Sequence, residues 1–249
     1  MFVKKKDGML QLYIDYRGLN HLTHKDKYPI PLIADLLDAP KRARYYTKID
    51  LRSAYHLVYI AKGDEWKTAF RTHYGSFEWL VMPFGLSNAP SAFQRFMNKV
   101  FSDLLDICVV IYLDDILIYS NDLESHKNHV MEILKRLQNN GLYAFPTKCA
   151  FHQRQVEFLG FVLSPEGIRI DTNKVKTIQD WPTPQRVKDV QAFISFANFY
   201  RRFINGYSEQ ILPLTRLMRK NEPWLWSTCC QTTFDALKAA FTTAPILVH

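Results

Sequence analysis

The segment Cys108-Val-Val-Ile-Tyr-Leu-Asp-Asp-Ile-Leu-Ile-Tyr119 sets two acids in the middle of an otherwise apolar run. Residues of β-forming, core-like character lead in and out, which predicts a β-hairpin whose tight turn carries Asp114 and Asp115. Two carboxylates at the tip of a buried hairpin cost desolvation and mutual repulsion, and folding gains nothing from either. A divalent cation removes both costs, because hard cations take oxygen ligands and cancel the charge. The plain alternative is a surface hairpin whose Asp residues merely favour the turn.

Working outward, Tyr45-Tyr-Thr-Lys-Ile-Asp50 has strand composition and ends on a third acid. An acid at a strand's carboxyl end, with two more on a neighbouring hairpin, is what two-metal phosphoryl or nucleotidyl transfer requires. Asp50 taken alone reads better as the N-cap of the turn that follows it.

The remaining sequence bounds the class. A chain of 249 residues, 47% hydrophobic and 14% aromatic, suits one or two folded domains and excludes a disordered or low-complexity protein. No apolar run approaches a membrane span, and Met-Phe-Val-Lys-Lys-Lys is no signal peptide. Cys108, Cys149, Cys229 and Cys230 form no Cys-x-x-Cys pair, so neither a zinc site nor a disulfide framework is expected. A reducing interior is the expected setting. The +8 net charge is uneven. Residues 1–50 carry ten Lys/Arg against six acids, residues 51–170 twelve of each, and residues 171–220 nine against four. Basic flanks around a neutral, acid-bearing middle suit a nucleic-acid duplex held by its phosphates.

Periodicity predicts strands near Leu10–Tyr16, Tyr45–Ile49, Leu57–Ile60, Ala69–Tyr74, Val156–Leu163 and Ile168–Ile170. Helices are expected near Leu32–Leu37, after Pro90 along Phe93, Phe96, Met97, Val100, Phe101 and Leu104, and over Leu123–Asn139 with Gly141 as a stop. A helical tail follows, with pieces near Asn173–Gln179, Val187–Phe203 and Glu209–Lys220. Mixed elements followed by helices alone make an α+β chain with a helical appendage. His126 and His129 lie three apart on a helix with no other ligand at metal spacing, and read as surface histidines.

Tyr112-Leu-Asp-Asp115 resembles the Tyr-x-Asp-Asp box of reverse transcriptases. The flanking segments Phe2-Val-Lys-Lys-Lys-Asp-Gly8, Ile14-Asp-Tyr-Arg-Gly-Leu-Asn20, Lys48-Ile-Asp-Leu-Arg-Ser53, Lys67-Thr-Ala-Phe-Arg-Thr72 and Phe77-Glu-Trp-Leu-Val-Met-Pro-Phe-Gly-Leu86 resemble the gypsy-type long-terminal-repeat retrotransposon branch. So do Asn88-Ala-Pro90, Phe158-Leu-Gly160, Trp181-Pro182 and Asn198-Phe-Tyr-Arg-Arg-Phe203, in family order from the first residue to the last. The resemblance implies a right-hand polymerase, α+β, with partial fingers (1–44), a palm (45–170, with a fingers segment near 61–80), a helical thumb (171–220) and a lead-in (221–249) to a missing ribonuclease H-like domain. It implies truncation at both ends and no nuclease activity.

The same resemblance implies particular residues. Asp50, Asp114 and Asp115, with the Leu51 carbonyl, would hold two Mg²⁺ ions, and the three acids would be catalytic. Lys5 or Lys6 would reach the dNTP triphosphate, since no Gly-rich phosphate loop exists. Tyr55 would be the steric gate against a 2′-hydroxyl, with Leu113 and Phe84 lining the base side. Phe158, Leu159 and Gly160 would form the primer grip, while Arg201 and Arg202 would follow the duplex backbone. Expected partners are an RNA or DNA template with its primer, dNTPs and the rest of a retrotransposon polyprotein, with no membrane, in an intracellular setting that the resemblance places in a cytoplasmic particle or the nucleus.

Several positions depart from the family pattern. Gln11 stands where an arginine usually clamps the triphosphate. Leu57 and Tyr59 replace a polar pair, Phe145-Pro146 interrupts a stretch that usually carries a lysine, and Phe161, Thr172 and Ser195 replace histidine, proline and glycine. Two readings therefore stand at this point: an RNA-directed DNA polymerase domain, or a degenerate or co-opted remnant that binds nucleic acid without polymerising.

Overall fold

The computed structural model describes residues 2–4, 8, 10–52 and 54–248. The chain divides into two compact units, 1–156 and 157–249. The first contains β1 (Phe2–Lys4), β2 (Leu10–Leu12), α1 (Arg17–Leu22), α2 (Ile33–Asp38), β3 (Tyr45–Asp50), β4 (Phe70–Thr72), β5 (Gly75–Phe77), α3 (Ala89–Val100), β6 (Val109–Tyr112), β7 (Asp115–Ser120), α4 (Leu123–Asn139) and β8 (Ala150–Gln153). Its centre is a four-stranded sheet in the order β6-β7-β3-β8, antiparallel throughout. Two small hairpins, β1–β2 and β4–β5, stand apart from that sheet.

The sheet alternates as strand periodicity demands. Ile49, Val109, Ile111, Ile116 and Ile118 enter one core with Phe93 and Met97 of α3 and Val130, Ile133 and Leu137 of α4. Burying each such side chain contributes roughly 1.5–3 kcal/mol. Met97→Ala would cost about 2–5 kcal/mol through the cavity it leaves. Pro90 sits in the first turn of α3, where its missing N–H costs nothing. Asp122 caps α4 by accepting from the Ser125 N–H, and Gly141 follows the helix at φ +66°.

The second unit carries β9 (Val156–Phe158), β10 (Phe161–Ser164), β11 (Gly167–Ile170), α5 (Thr172–Gln179), α6 (Val187–Phe199), α7 (Tyr207–Gln210), α8 (Leu212–Arg216) and α9 (Thr228–Thr242). Its strands order β11-β10-β9. Phe193 of α6 packs on Trp181 and on Phe234 of α9, while Leu247 bridges Ile168 through both backbone bonds at 2.9 Å.

Several elements differ from the sequence expectation. The strand near Leu10–Tyr16 ends at Leu12, because Asp15 accepts from the Arg17 N–H and turns the chain into α1. Leu57–Ile60 is not a strand: Ala54–Leu57 is a 3₁₀ turn, and only Tyr59 bridges Val81. Val156–Leu163 is divided by a turn in which Leu159 and Gly160 take φ +50° and +84°. The helix expected to reach Phe203 stops at Phe199, before a 3₁₀ turn at Arg201–Phe203. Glu209–Lys220 holds two short helices rather than one, with Pro213 in the first turn of the second. No described helix is long and apolar enough to cross a membrane, and all four cysteines are free.

Candidate functional site

Antiparallel register brings the acids together. Asp50, the last residue of β3, lies opposite Asp115, the first residue of β7, and Asp115 lies opposite Tyr112. The turn therefore consists of Leu113 and Asp114, and Asp115 belongs to the strand, a correction to the expected Asp-Asp turn. The tip is also at the surface rather than buried: Asp114 is exposed, whereas Asp50 and Asp115 are half-buried. Leu113 takes φ +55°, a conformation that non-glycine residues seldom adopt. The Leu51 N–H donates to the Asp114 carbonyl at 3.1 Å, tying the end of β3 to the turn.

Charge is unevenly balanced among the three acids. The Lys48 ammonium stands 3.2 Å from Asp115 Oδ1, and the Lys148 ammonium 3.7 Å from Asp50 Oδ1. Lys148 also lies over the Phe145 ring, 4.7 Å from its centroid, with the Arg52 guanidinium 5.9 Å from the same ring. The off-pattern Phe145 thus seats a cation beside Asp50. Desolvation by the surrounding protein raises the Asp114 pKa above the usual carboxylate range. The charges of Asp115 and Asp50 push the same way, and Lys148 opposes them. A cation bound among these oxygens would relieve that repulsion, and the donor set is hard carboxylate oxygen, as Mg²⁺ prefers. Among the described residues no three His, Cys, Asp or Glu side chains form a ready-made cage, so the fit rests on this juxtaposition and repulsion.

Beside the acids, the half-buried Tyr55 ring meets Phe84 edge-on at 5.2 Å and Phe93 at 5.6 Å. Its hydroxyl pKa is raised, first by burial and then by the Asp114 charge. Phe84 in turn touches Tyr13 and His56. Gly85 follows at φ +98°, where a Cβ would sit 3.4 Å from the Ile14 carbonyl oxygen. Asn20 clamps this loop, donating to the Gly85 carbonyl at 2.7 Å and accepting from the Ser87 N–H at 2.8 Å. Tyr55, Phe84, Asp50 and the Leu113–Asp114 turn thus belong to one neighbourhood.

The other expected positions are spread wider. Lys5 and Lys6 lie outside the described residues. Gln11 pairs with Val3 in the β1–β2 hairpin, and its side-chain nitrogen is shielded from water with no partner among the described residues. In the second unit, Phe158 is sealed in the core, and Leu159 and Gly160 make the strained turn. The Tyr200 hydroxyl donates to the Gly160 carbonyl at 3.4 Å. Phe161 stacks on Phe199 and Phe203 and touches Tyr200, which explains an aromatic residue where the family has histidine. Arg201 and Arg202 are exposed on the following 3₁₀ turn.

Three features escaped the sequence reading. Lys48 and Lys148 balance the acids. Gln94 is fully buried and accepts from the Leu113 N–H at 2.8 Å. His126 is no surface histidine: it is sealed between Thr47 Oγ1 at 2.8 Å and Ser120 Oγ at 2.9 Å. A polar residue beside the apolar stripe Phe93, Met97 and Phe101 was the available signal for Gln94. For His126 the signal was its place on the inward face of α4, with Val130, Ile133 and Leu137.

With this geometry in view, similarity to known proteins becomes informative. The chain is 39% identical over all 249 residues to the Tf2-3 transposon polyprotein of Schizosaccharomyces pombe, and 38% identical to the Tf2-7 polyprotein of the same organism. It spans about a fifth of the length of these curated relatives, 19% in each case. Its fold matches the foamy viral protease-reverse transcriptase dRH in complex with ds DNA, with a TM-score of 0.92 at 24% identity over 99% of this chain and 44% of that one. The foamy viral protease-reverse transcriptase in complex with RNA/DNA hybrid gives a TM-score of 0.87 at 24% identity, over 99% of this chain and 33% of that one. The fold is therefore that of the reverse transcriptases, an α+β right-hand polymerase architecture. Residues 3–163 match the family described as reverse transcriptase (RNA-dependent DNA polymerase), and the chain belongs to that family.

Proposed function

We propose that this chain is the RNA-directed DNA polymerase domain of a gypsy-type long-terminal-repeat retrotransposon polyprotein, adding dNTPs to a primer 3′-OH. The single observation that carries the reading is the register of Asp50 against Asp115 beside the Leu113–Asp114 turn, which gathers three carboxylates at one end of the sheet. Asp50, Asp114, Asp115 and the Leu51 carbonyl would hold two Mg²⁺ ions. Those ions, when bound, supply the positive charge that activates the attacking hydroxyl and stabilises the leaving pyrophosphate.

The remaining roles belong to side chains. Lys48 and Lys148 orient Asp115 and Asp50 by ion pairing at 3.2 and 3.7 Å. Tyr55, braced by Phe84 and Phe93, presents a ring that leaves no room for a 2′-hydroxyl, so dNTP is selected by repulsion. Leu113 and Phe84 line the base side, and Lys5 or Lys6 meets the triphosphate. The Phe158-Leu159-Gly160 turn, held by Tyr200, offers backbone groups to the primer end, and Arg201 and Arg202 follow the duplex phosphates. The subdomains are fingers over 1–44, palm over 45–170 with an interleaved fingers segment near 61–80, thumb over 171–220 and a further segment over 221–249. The relatives support a larger polyprotein around this chain, and the foamy viral complexes support RNA/DNA hybrid and DNA duplex as its partners.

Primer extension on poly(rA)·oligo(dT) with Mg²⁺ tests the assignment. Metal-dependent extension with dNTPs is expected, together with its loss on adding a chelator. The second reading, a nucleic-acid-binding remnant, is favoured by Gln11, whose buried nitrogen has no partner among the described residues and whose amide supplies no cationic fork. Duplex binding without any extension would establish that second reading.

A further inference from the structure

We infer that Gln94 is a positioning residue for the Leu113–Asp114 turn, a role that rests on the polymerase reading above. Strand β6 is an edge of its sheet, so groups on its outer side have no ladder partner. Gln94 supplies one. Its Oε1 accepts from the Leu113 N–H at 2.8 Å and its Nε2 donates to the Ile111 carbonyl at 3.1 Å. One N–H and one C=O, two residues apart, are what a neighbouring strand's peptide group would engage. A single side-chain amide thus extends the ladder to the point where the chain enters its left-handed turn at Leu113.

Chemistry fixes the amide's orientation. With oxygen and nitrogen exchanged, the NH₂ would face the Leu113 N–H and the carbonyl would face the Ile111 carbonyl, two like-against-like contacts. The second Nε2 proton goes to Asn98 Oδ1 at 2.9 Å, and Asn98 Nδ2 donates to the Tyr28 hydroxyl at 2.9 Å. The Arg95 guanidinium lies over the Tyr28 ring, 5.0 Å from its centroid, and pairs with Asp26 at 2.6 Å. The turn bearing Asp114 is therefore tied through α3 to the irregular chain at 26–28. Gln94 is sealed from solvent, so any substitution that loses these bonds leaves two backbone groups near the acids without partners.

The test compares Gln94→Met and Gln94→Glu with the wild-type chain. Four quantities are read: hydrogen exchange of the Leu113 amide, affinity for Mn²⁺ as the metal probe, single-turnover extension, and melting temperature. Methionine keeps the volume and loses every hydrogen bond. Leu113 exchange is expected to accelerate at least about tenfold and Mn²⁺ affinity to fall, since the outer hydrogen bond protects that amide. Extension at saturating dNTP is expected to fall roughly 10- to 100-fold with unchanged primer–template affinity, the effect of a small misplacement of reacting groups. Glutamate accepts from Leu113 but faces Ile111 and Asn98 without a donor until it is protonated. Its activity relative to wild type should therefore recover as pH falls. Unchanged Leu113 exchange and Mn²⁺ affinity in Gln94→Met would overturn the inference, even if its melting temperature fell. A wild-type chain that extends nothing would refute the polymerase reading, while the exchange and Mn²⁺ arms would still decide the role of Gln94.

Discussion

The β3–β7 ladder handles polar groups in opposite ways at its two ends. Towards the Tyr45–Ser120 end, Thr47, Ser120 and His126 are almost wholly removed from water, and each is bonded. The His152 N–H donates to Thr47 Oγ1 at 3.0 Å, Thr47 meets His126 Nε2, His126 Nδ1 meets Ser120 Oγ, and Ser120 meets His129 Nδ1 at 2.8 Å. A neutral His126 carrying its proton on Nδ1 satisfies this chain with every hydroxyl both accepting and donating. At the Asp50–Asp115 end, Lys48 pairs with Asp115 and Lys148 with Asp50, while desolvation, with the charges of Asp115 and Asp50, raises the Asp114 pKa. The contrast sets the bonded cluster around His126, beside which only the buried Tyr119 hydroxyl lacks a partner among the described residues of that end, against an acidic end whose carboxylates repel one another. Perturbed carboxylates of this kind make the acidic end the candidate for chemistry.

The largest effect that could break this contrast is on Asp114. Asp114→Asn is expected to lower single-turnover extension by about three orders of magnitude, because a metal-binding charge is lost. Its melting temperature should stay level or rise, since Asp114 pays for its charge in the folded state. Undiminished extension would take catalysis away from the acidic end.

Next comes the His126 end. Burial, followed by His152 and His129, lowers the His126 pKa to about 4. Neutral His126 is therefore favoured in the folded chain, whereas an unfolded histidine takes up a proton near pH 6.5. The unfolded state binds more protons between those values, so stability is full above about pH 6.5 and declines as pH falls towards 4. The loss reaches at most about 3 kcal/mol. Denaturant unfolding at pH 7 and pH 4.5 reads it. His126→Gln should be less stable at pH 7 and show a shallower slope, and an unchanged slope would assign the effect elsewhere.

A smaller effect sharpens the proposed role of the acidic end. Tyr55→Ala should raise rNTP incorporation relative to dNTP by roughly tenfold or more, as removal of a steric clash does. A variant that loses stability but keeps its sugar ratio would mark Tyr55 as packing for Phe84 and Phe93. Smallest is Gln11→Arg, expected to raise catalytic efficiency at limiting dNTP by about tenfold. Charge-assisted bonds to the triphosphate exceed a neutral amide's by roughly 1 kcal/mol or more. No gain from the arginine, with robust wild-type extension, would show that another cation holds the triphosphate.

Some of this was legible in the residues. The apolar run around Asp114 gave the hairpin, because alternation and length specify a strand pair locally. Pro90, Asp122 and Gly141 marked helix ends, because caps and stops act over one turn of chain. The strands and helices that were misjudged depended on other things. Leu57–Ile60 had strand composition but only an isolated partner at Val81, and Val156–Leu163 hid a left-handed turn at a leucine. The burial of His126 could be read from its place on the inward face of α4, but its partners could not, because Thr47 lies 79 residues away in the chain.

By itself, then, the sequence named the candidate residues and the local elements that carry them: three acids, the tyrosine at 55, a hairpin and an α+β order. Tertiary structure alone decided that Asp115 sits in the strand opposite Asp50, that Lys48 and Lys148 balance the acids, and that Gln94 completes the edge of β6. The physical reason is range. Periodicity, caps and turn chemistry act within a few residues, whereas register, charge balance and the pairing of buried polar groups exist only once distant segments share one core.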